Sequence, residues 1–258
     1  MTTTRTFGDV PIRVAGNREA ADDLLQYALT AEAPTTYRLV NAYTLALASR
    51  DATYEEVLLG PGINLPDGLP LAKLLAWVNP DIHVDRVRGP SLFEDCLDRG
   101  RPLRVRHYLL GSTEETLDRL TREIQRRFPG TEIVGTESPP FRALSEDERI
   151  AQRDRIRASE AHLVWVALGT PKQDFEALRL MQEAGVTTVA VGAAFGFAAG
   201  TVPQAPEWMR RRGLEWGFRL ATEPRRLWRR YLFGNARFLW LAAAHVHRAR
   251  HRAGRGHA

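Results

Sequence analysis

Cysteine and long apolar runs are scarce in this chain of 258 residues, and each scarcity excludes a class of protein. Cys96 is the only cysteine, which excludes a disulfide scaffold and a cysteine-rich metal site and fits a reducing compartment. The apolar run Phe238–Ala244 is far shorter than the roughly 20 residues that cross a bilayer. No apolar run follows Met1–Arg5, so we expect neither a signal peptide nor a membrane span.

Several ligand-binding motifs are also absent. The chain has neither the Gly-x-Gly-x-x-Gly dinucleotide fingerprint nor the Gly-x4-Gly-Lys-Ser/Thr nucleotide loop. It also has no Asp-x-Asp pair of the kind that holds a divalent cation beside a diphosphate. We therefore expect no cofactor and no metal site, and positive charge would have to come from side chains.

The body of the chain alternates strand-like runs with amphipathic helical patterns. Its hydrophobic content of 44% is enough for a sizeable core. Nearly continuous apolar runs are typical of parallel strands buried on both faces. We predict a Rossmann-like, doubly wound, mostly parallel α/β sheet. The predicted strands are Tyr37–Val40, Glu56–Leu59, Val105–Leu110, Glu132–Val134, Leu163–Leu168 and Thr187–Val191.

Charge is segregated towards the C-terminus. Trp208–Ala258 contains thirteen Arg, no Lys and two acids, a net charge of +11, whereas the whole chain carries +5 and the preceding part therefore −6. Such a split indicates an anionic partner for the basic segment. Pro203–Pro206 is the natural junction, so we predict a body of residues 1–203 and a basic, amphipathic helical appendage of residues 204–258.

The appendage contains a helical pattern that begins at Pro224. Four arginines occupy one arc of this helix, and apolar residues occupy the other. This pattern is typical of a helix at an anionic membrane surface, but equally of a helix packed by its apolar face on the body. Both readings stay open. The predicted membrane-contact residues are Leu227, Trp228, Tyr231 and Leu232.

Two loops pass from a predicted strand through glycine to a helix start. Gly111 lies in the first, and Gly169, Lys172 and Gln173 lie in the second. Backbone N–H groups at such a turn can bind phosphate, and the carboxyl ends of parallel strands form the binding crevice. Either loop taken alone is equally typical of an ordinary capped turn.

Asp67 precedes Gly68 at a predicted turn between a strand and the helical pattern Leu69–Trp77. Asp followed by Gly is common in tight turns for structural reasons alone. A carboxylate in the crevice could also accept a proton from a sugar hydroxyl. The guanidinium groups of Arg86–Gly89 suit a diphosphate.

Together these pieces resemble the WecG/TagA/CpsF group, glycosyltransferase family 26, from about Leu39 to about Phe238. The order and spacing of the pieces are more specific than any one of them. The matching pieces are Asn41, Leu65–Gly68, Arg86–Gly89, Phe128–Gly130, Ile133–Gly135, Ser138–Phe141, Trp165–Asp174, Val191–Phe195, Ala205–Met209, Gly213–Trp216, Arg219–Leu220 and Glu223–Tyr231.

The resemblance implies an inverting transfer of an N-acetylmannosamine-type sugar or related hexose from a UDP-sugar to a polyprenyl-diphosphate-linked saccharide. Such enzymes act in bacterial cell-surface polysaccharide or teichoic acid synthesis, so we expect a peripheral protein at an anionic, inner membrane face. We leave open whether the protein forms a homo-oligomer.

The same resemblance implies roles for individual residues. Asp67 takes the general-base position, Asn41 and Gln173 line the sugar pocket, and Arg86 lies near the substrate. The tail arginines Arg219, Arg226 and Arg229 would meet the diphosphate.

Three positions depart from the family pattern. Leu39 stands two residues before Asn41 where Thr is usual, Ser91 stands where Asp is common, and Gly196 replaces the usual Asp between two Phe. These changes allow altered donor recognition or weak activity, and the donor and acceptor stay undetermined. Two alternatives therefore remain: a nucleotide-sugar-binding module without turnover, and an Arg-rich nucleic-acid-binding protein, although the negative body predicts no nucleic acid partner.

Overall fold

A computed structural model of the chain describes residues 3–30 and 33–255, without the side chains of residues 226, 229–231 and 250–255. The strands are β1 (Thr3–Phe7), β2 (Val10–Val14), β3 (Thr36–Val40), β4 (Ile63–Pro66), β5 (Arg106–Gly111), β6 (Glu132–Glu137), β7 (Leu163–Ala167) and β8 (Thr187–Ala190). The helices are α1 (Asn17–Thr30), α2 (Ala42–Ala48), α3 (Ala52–Leu59), α4 (Leu69–Val78), α5 (Gly89–Gly100), α6 (Glu114–Arg127), α7 (Glu146–Ala158), α8 (Lys172–Ala184), α9 (Ala194–Ala198), α10 (Glu207–Arg212), α11 (Glu215–Thr222) and α12 (Pro224–Arg255).

Six strands form one parallel sheet in the order β4-β3-β8-β7-β5-β6, and β1 and β2 form a separate antiparallel hairpin. The residues of β3 and β8 are all buried, as expected for strands covered on both faces. The predicted α/β class with a Rossmann-like parallel sheet is confirmed.

Two helical layers cover the sheet. Buried residues of α1, α5, α6 and α9 form one core with the inner strands, centred on Trp165, whose ring lies 4.9 Å from that of Phe93. Helices α2, α3, α4 and α8 cover the other face. The helices that follow β3 and β4 share one face, whereas the helix that follows the next strand, β8, lies on the other. A reversal of this kind between neighbouring parallel strands is where a crevice is expected at their carboxyl ends.

The predicted strand Glu56–Leu59 is wrong, because this segment is the last turn of α3. The side chain of Asp51 accepts a hydrogen bond from the backbone N–H of Tyr54 at 3.1 Å and so caps the helix. Tyr54, Val57 and Leu58 recur at helical spacing and face the core. The strand of this region is β4, four residues later, and the β1–β2 hairpin was not predicted.

The C-terminal helix α12 packs against α2 and α4. Phe238 is only 5% exposed, and its ring stacks on Phe7 of the hairpin at 5.7 Å. The Arg237 guanidinium donates to the Ser49 Oγ at 3.0 Å. The reading that the tail helix packs on the body is therefore correct for this part of α12.

Other residues of α12 face outwards. Trp228 is 45% exposed and Leu232 is 61% exposed. Among the described residues, no helix combines the length and apolar character that crossing a membrane requires. The helix thus has a face on the body and an exposed face with large apolar side chains.

Phe238→Ala is expected to lower the free energy of unfolding by about 3–5 kcal/mol, because it leaves a cavity beside Phe7. Leu239→Ala, on the 67% exposed neighbouring residue, should stay within about 0.5 kcal/mol of wild type. Urea denaturation of both variants measures the difference. Equal losses of unfolding free energy in the two variants would contradict the packing of α12 on the hairpin.

Candidate functional site

The residues predicted from strand ends and turns lie along one edge of the sheet. Asp67 follows β4, Asn41 follows β3, Gly169 follows β7 soon after its end, and Gly111 ends β5. Since these strands are parallel neighbours or near neighbours, their carboxyl ends share that edge. The edge is the candidate active site.

Asn41 connects two strand ends through one side chain. Its Oδ1 accepts hydrogen bonds from the backbone N–H groups of Tyr43 and Thr44, which caps α2. Its Nδ2 donates to the Asp67 Oδ2 at 3.2 Å. The amide is therefore held in one orientation and points its donor at the carboxylate.

The backbone around Asp67 is fixed as well. The Asp67 N–H donates to the Val40 carbonyl at 2.7 Å, and the following Gly68 has φ +85°. A positive φ is accessible to glycine at little cost, so the chain can turn sharply into α4 directly after the carboxylate. The Asp-Gly pair thus serves both the turn and the placement of Asp67.

Burial raises the pKa of the Asp67 carboxyl above its ordinary value, and the negative charge of Glu215 adds to this increase. The hydrogen bond from Asn41 and the charges of Arg86 and Arg88 act in the opposite direction. Part of the residue remains open to solvent. A desolvated carboxylate that a hydroxyl can still reach is suited to accept a proton.

Two arginines beside Asp67 share one carboxylate from the tail. The Arg86 Nη1 donates to the Glu215 Oε2 at 2.9 Å, and the Arg88 Nε donates to the Glu215 Oε1 at 2.7 Å. The Arg86 Nη2 also donates to the Arg210 carbonyl at 2.7 Å. These bonds attach α10 and α11 to the body next to Asp67.

Arg219 lies close to the same cluster. Its guanidinium carbon is 5.6 Å from the centre of the Phe197 ring, and that of Arg88 is 5.9 Å from the same centre. Both distances allow a cation–π contact. Arg219 also forms an ion pair with Glu223 at 3.7 Å. One tail arginine and one body arginine therefore meet at a single aromatic ring.

The second glycine loop holds Gln173 beside the ends of β7 and β8. Its Oε1 accepts a hydrogen bond from the Gly169 N–H at 3.1 Å, and the side chain is buried next to Gly192. The adjacent Asp174 accepts a hydrogen bond from the Tyr54 hydroxyl at 2.9 Å, and burial raises the pKa of Asp174 to about 6. Lys172 is exposed at the start of α8.

The three residues that depart from the family pattern each have close neighbours in the structure. The Leu39 Cδ1 lies 2.7 Å from the position that a Cβ at Gly89 would take, so the two residues are closely fitted. A Cβ at Gly196 would lie 2.7 Å from the Val202 Cγ2, which occupies the space of a side chain there. The Ser91 Oγ accepts a long bond from Arg88 at 3.5 Å.

The predicted membrane-contact residues do not share one surface. Leu227 is only 2% exposed and is packed inside the protein, so the expectation that it contacts a membrane is not met in this structure. Trp228 and Leu232 are exposed. The side chains of Arg226, Arg229 and Tyr231 lie outside the described residues.

The sequence indicated Arg86 and Arg88 together as guanidinium groups suited to a diphosphate, but only Arg86 was predicted as a substrate residue, and Glu215 was not predicted as a site residue. A signal for Glu215 was present, because it is one of only two acids in the basic segment that begins at Trp208. An acid in such a segment has many local arginines to pair with, and only the fold shows that it pairs with Arg86 and Arg88.

Comparisons with known proteins found a matching family and curated relatives. Residues 5–252 match the model of the glycosyl transferase WecG/TagA/CpsF family. Two curated relatives are named N-acetylglucosaminyldiphosphoundecaprenol N-acetyl-beta-D-mannosaminyltransferase. The Bacillus spizizenii protein is 32% identical over 188 residues, 72% of this chain and 70% of the relative. The Bacillus subtilis protein is 25% identical over 232 residues, 89% of this chain and 87% of the relative. The resemblance drawn from the motifs is confirmed.

Gly111→Ala should be about 2 kcal/mol more destabilising than Gly130→Ala, because a Cβ at Gly111 would lie 2.6 Å from the Ala167 carbonyl oxygen. Both glycines have positive φ, so backbone strain is common to the two variants. Only the clash between β5 and β7 differs, since a Cβ at Gly130 meets no atom within 4 Å. Thermal unfolding tests this, and equal losses of stability would mean that the β5 and β7 ends are not tightly apposed.

Proposed function

Because the chain belongs to the WecG/TagA/CpsF family of glycosyltransferases, we propose that it transfers an N-acetylmannosamine-type sugar or related hexose from a UDP-sugar to a polyprenyl-diphosphate-linked saccharide. The observation that carries this proposal is the desolvated Asp67 carboxylate, held by Asn41 at the carboxyl edge of the sheet and surrounded by arginines. The product would belong to a cell-surface polysaccharide or teichoic acid.

The proposed reaction is a single displacement. Asp67 accepts the proton of the acceptor hydroxyl while that oxygen attacks the anomeric carbon of the donor sugar. The bond from the anomeric carbon to the UDP oxygen breaks, and UDP leaves with the bonding electrons. One displacement inverts the anomeric configuration. A base with a raised pKa receives the proton more readily than an ordinary aspartate would.

Positive charge is required where UDP leaves. We propose that Arg219, which lies at the ring of Phe197, supplies this charge, and we propose Arg226 and Arg229 for the same role from the family pattern. Backbone N–H groups at the Gly111 and Gly169 turns would add donors for phosphate. We further propose that Asn41 and Gln173 contact the donor sugar, that Arg86 lies near the substrate, and that Lys172 contributes positive charge at the rim of the crevice.

We also propose that residues 204–258 form a functional appendage that completes the site and contacts the membrane. Exposed aromatic and aliphatic side chains accompany its arginines, including Trp228 and Leu232. Basic residues attract anionic lipid, and apolar side chains enter the headgroup region. A lipid-linked acceptor would then meet Asp67 at the inner face of the membrane.

Asp67→Asn is expected to keep UDP-sugar binding but to lower the transfer rate by at least about a hundredfold, the low end for losing a general base. The amide oxygen can still accept the bond from Asn41, so the local structure is preserved. Calorimetry measures binding, and a coupled assay of UDP release measures transfer.

The matched control is Asp118→Asn on the exposed side of α6, which should transfer sugar at the wild-type rate. Transfer by Asp67→Asn within a few-fold of wild type would remove Asp67 from the mechanism.

The double variant Trp228→Ala/Leu232→Ala should bind vesicles containing anionic lipid at least about tenfold more weakly, because two exposed apolar side chains are lost. Its transfer to a short, water-soluble acceptor should not change. Trp77→Ala removes a tryptophan outside the appendage that is more exposed than Trp228, and it should leave vesicle binding intact. Unchanged vesicle binding by the double variant would assign membrane contact to another surface.

A further inference from the structure

Glu215 is a tail carboxylate whose charge influences Asp67, although the proposed reaction does not use it. Each of its two oxygens receives a different body arginine, Arg86 at 2.9 Å and Arg88 at 2.7 Å. All three side chains are largely shielded from solvent. Ion pairs in such surroundings are screened less than surface pairs, so the loss of one partner leaves an uncompensated charge.

Two further donors of these arginines bind the same segment. The Arg86 Nη2 donates to the Arg210 carbonyl, and the Arg88 Nη2 donates to the Gln204 Oε1 at 3.3 Å. Apart from the long bond of 3.5 Å from the Arg88 Nη1 to the Ser91 Oγ, the acceptors lie in residues 204–215, downstream of the sheet. Arg86 and Arg88 therefore tie the following segment to the body at the edge that carries Asp67.

Asp67 lies within the electrostatic field of this ion-paired group. Asn41 donates to Asp67 from the end of β3. The charges of Arg86 and Arg88, in the segment before α5, lower the pKa of Asp67, and the charge of Glu215, in α11, raises it. Unopposed, two guanidinium groups would favour the ionised carboxylate and weaken it as a base. The Glu215 charge offsets them and holds Asp67 in the more basic state.

We propose that Glu215 is a positioning residue that acts through Arg86 and Arg88: it fastens α11 over the site and neutralises the two arginines so that Asp67 stays an effective base. The proposal rests on the proposed function of Asp67 as the base. It also assigns a role to Arg88, which binds the second oxygen of the Glu215 carboxylate.

A double-mutant cycle tests the proposal through the titration of Asp67. The variants are Glu215→Gln, Arg88→Gln and the double variant, each in the full chain. Carboxyl carbon NMR follows Asp67, with its resonance identified by its loss in Asp67→Asn. We expect the titration midpoint to fall in Glu215→Gln, to rise in Arg88→Gln, and to return close to the wild-type value in the double variant.

Local unfolding would not shift the titration midpoint of Asp67 in opposite directions in the two single variants and restore it in the double variant. Glu207→Gln removes a charge from the exposed ion pair with Arg211 in the same tail and should leave the Asp67 midpoint unchanged. Shifts of the same sign in both single variants, or no shift in Glu215→Gln, would overturn the proposal.

The rate of transfer provides the second readout. Because Asp67 must be deprotonated to accept a proton, the rate rises as pH increases through its pKa, and Glu215→Gln should move this rise to lower pH. If Asp67→Asn is inactive while Glu215→Gln retains the wild-type titration and pH profile, the role of Glu215 alone fails. If Asp67→Asn transfers sugar at the wild-type rate, the proposed role of Asp67 as the base fails, and the role of Glu215 fails with it.

Discussion

The hydrogen bond from Asn41 to Asp67 is the interaction on which the candidate site depends. The same amide caps α2 with its oxygen and holds the carboxylate with its nitrogen, so the ends of β3 and β4 cannot shift independently. A capped helix start at the end of a buried parallel strand is a rigid support. Asp67 is consequently fixed relative to the sheet, while Gly68 lets the chain turn away from it.

Charge at this edge comes from two parts of the chain. The body contributes Arg86 and Arg88, and the tail contributes Glu215 together with Arg219. The tail is positive as a whole, yet one of its few acids pairs with both body arginines. Attachment of the appendage and the charge around Asp67 are therefore coupled, and changes in one would alter the other.

Sequence patterns predicted much of the sheet, because β3, β5, β7 and β8 are buried on both faces and read as apolar runs. The same signal failed at Glu56–Leu59, since a short apolar run does not distinguish a strand from a helix turn capped by Asp51. The β1–β2 hairpin carries mixed residues and gave no clear pattern.

The candidate site was predictable only in part. Asp67, Asn41 and Gln173 follow strand ends, where local sequence indicates position. The pairing of Glu215 with Arg86 and Arg88 joins residues more than 120 positions apart, and no local pattern encodes such a contact. The partition of α12 into a packed face at Phe238 and an exposed face at Leu232 likewise depends on what α2 and the hairpin present to it.

The central claim is that Asp67 receives the proton of the acceptor hydroxyl. The most direct measurement is a crystal structure of the protein with UDP and a soluble acceptor analogue. We expect an Asp67 carboxylate oxygen to lie within about 2.6–3.2 Å of the acceptor hydroxyl. That hydroxyl should lie on the side of the donor's anomeric carbon opposite to the UDP oxygen. An acceptor hydroxyl bound instead to another side chain, with Asp67 beyond hydrogen-bond reach and no water between them, would contradict it.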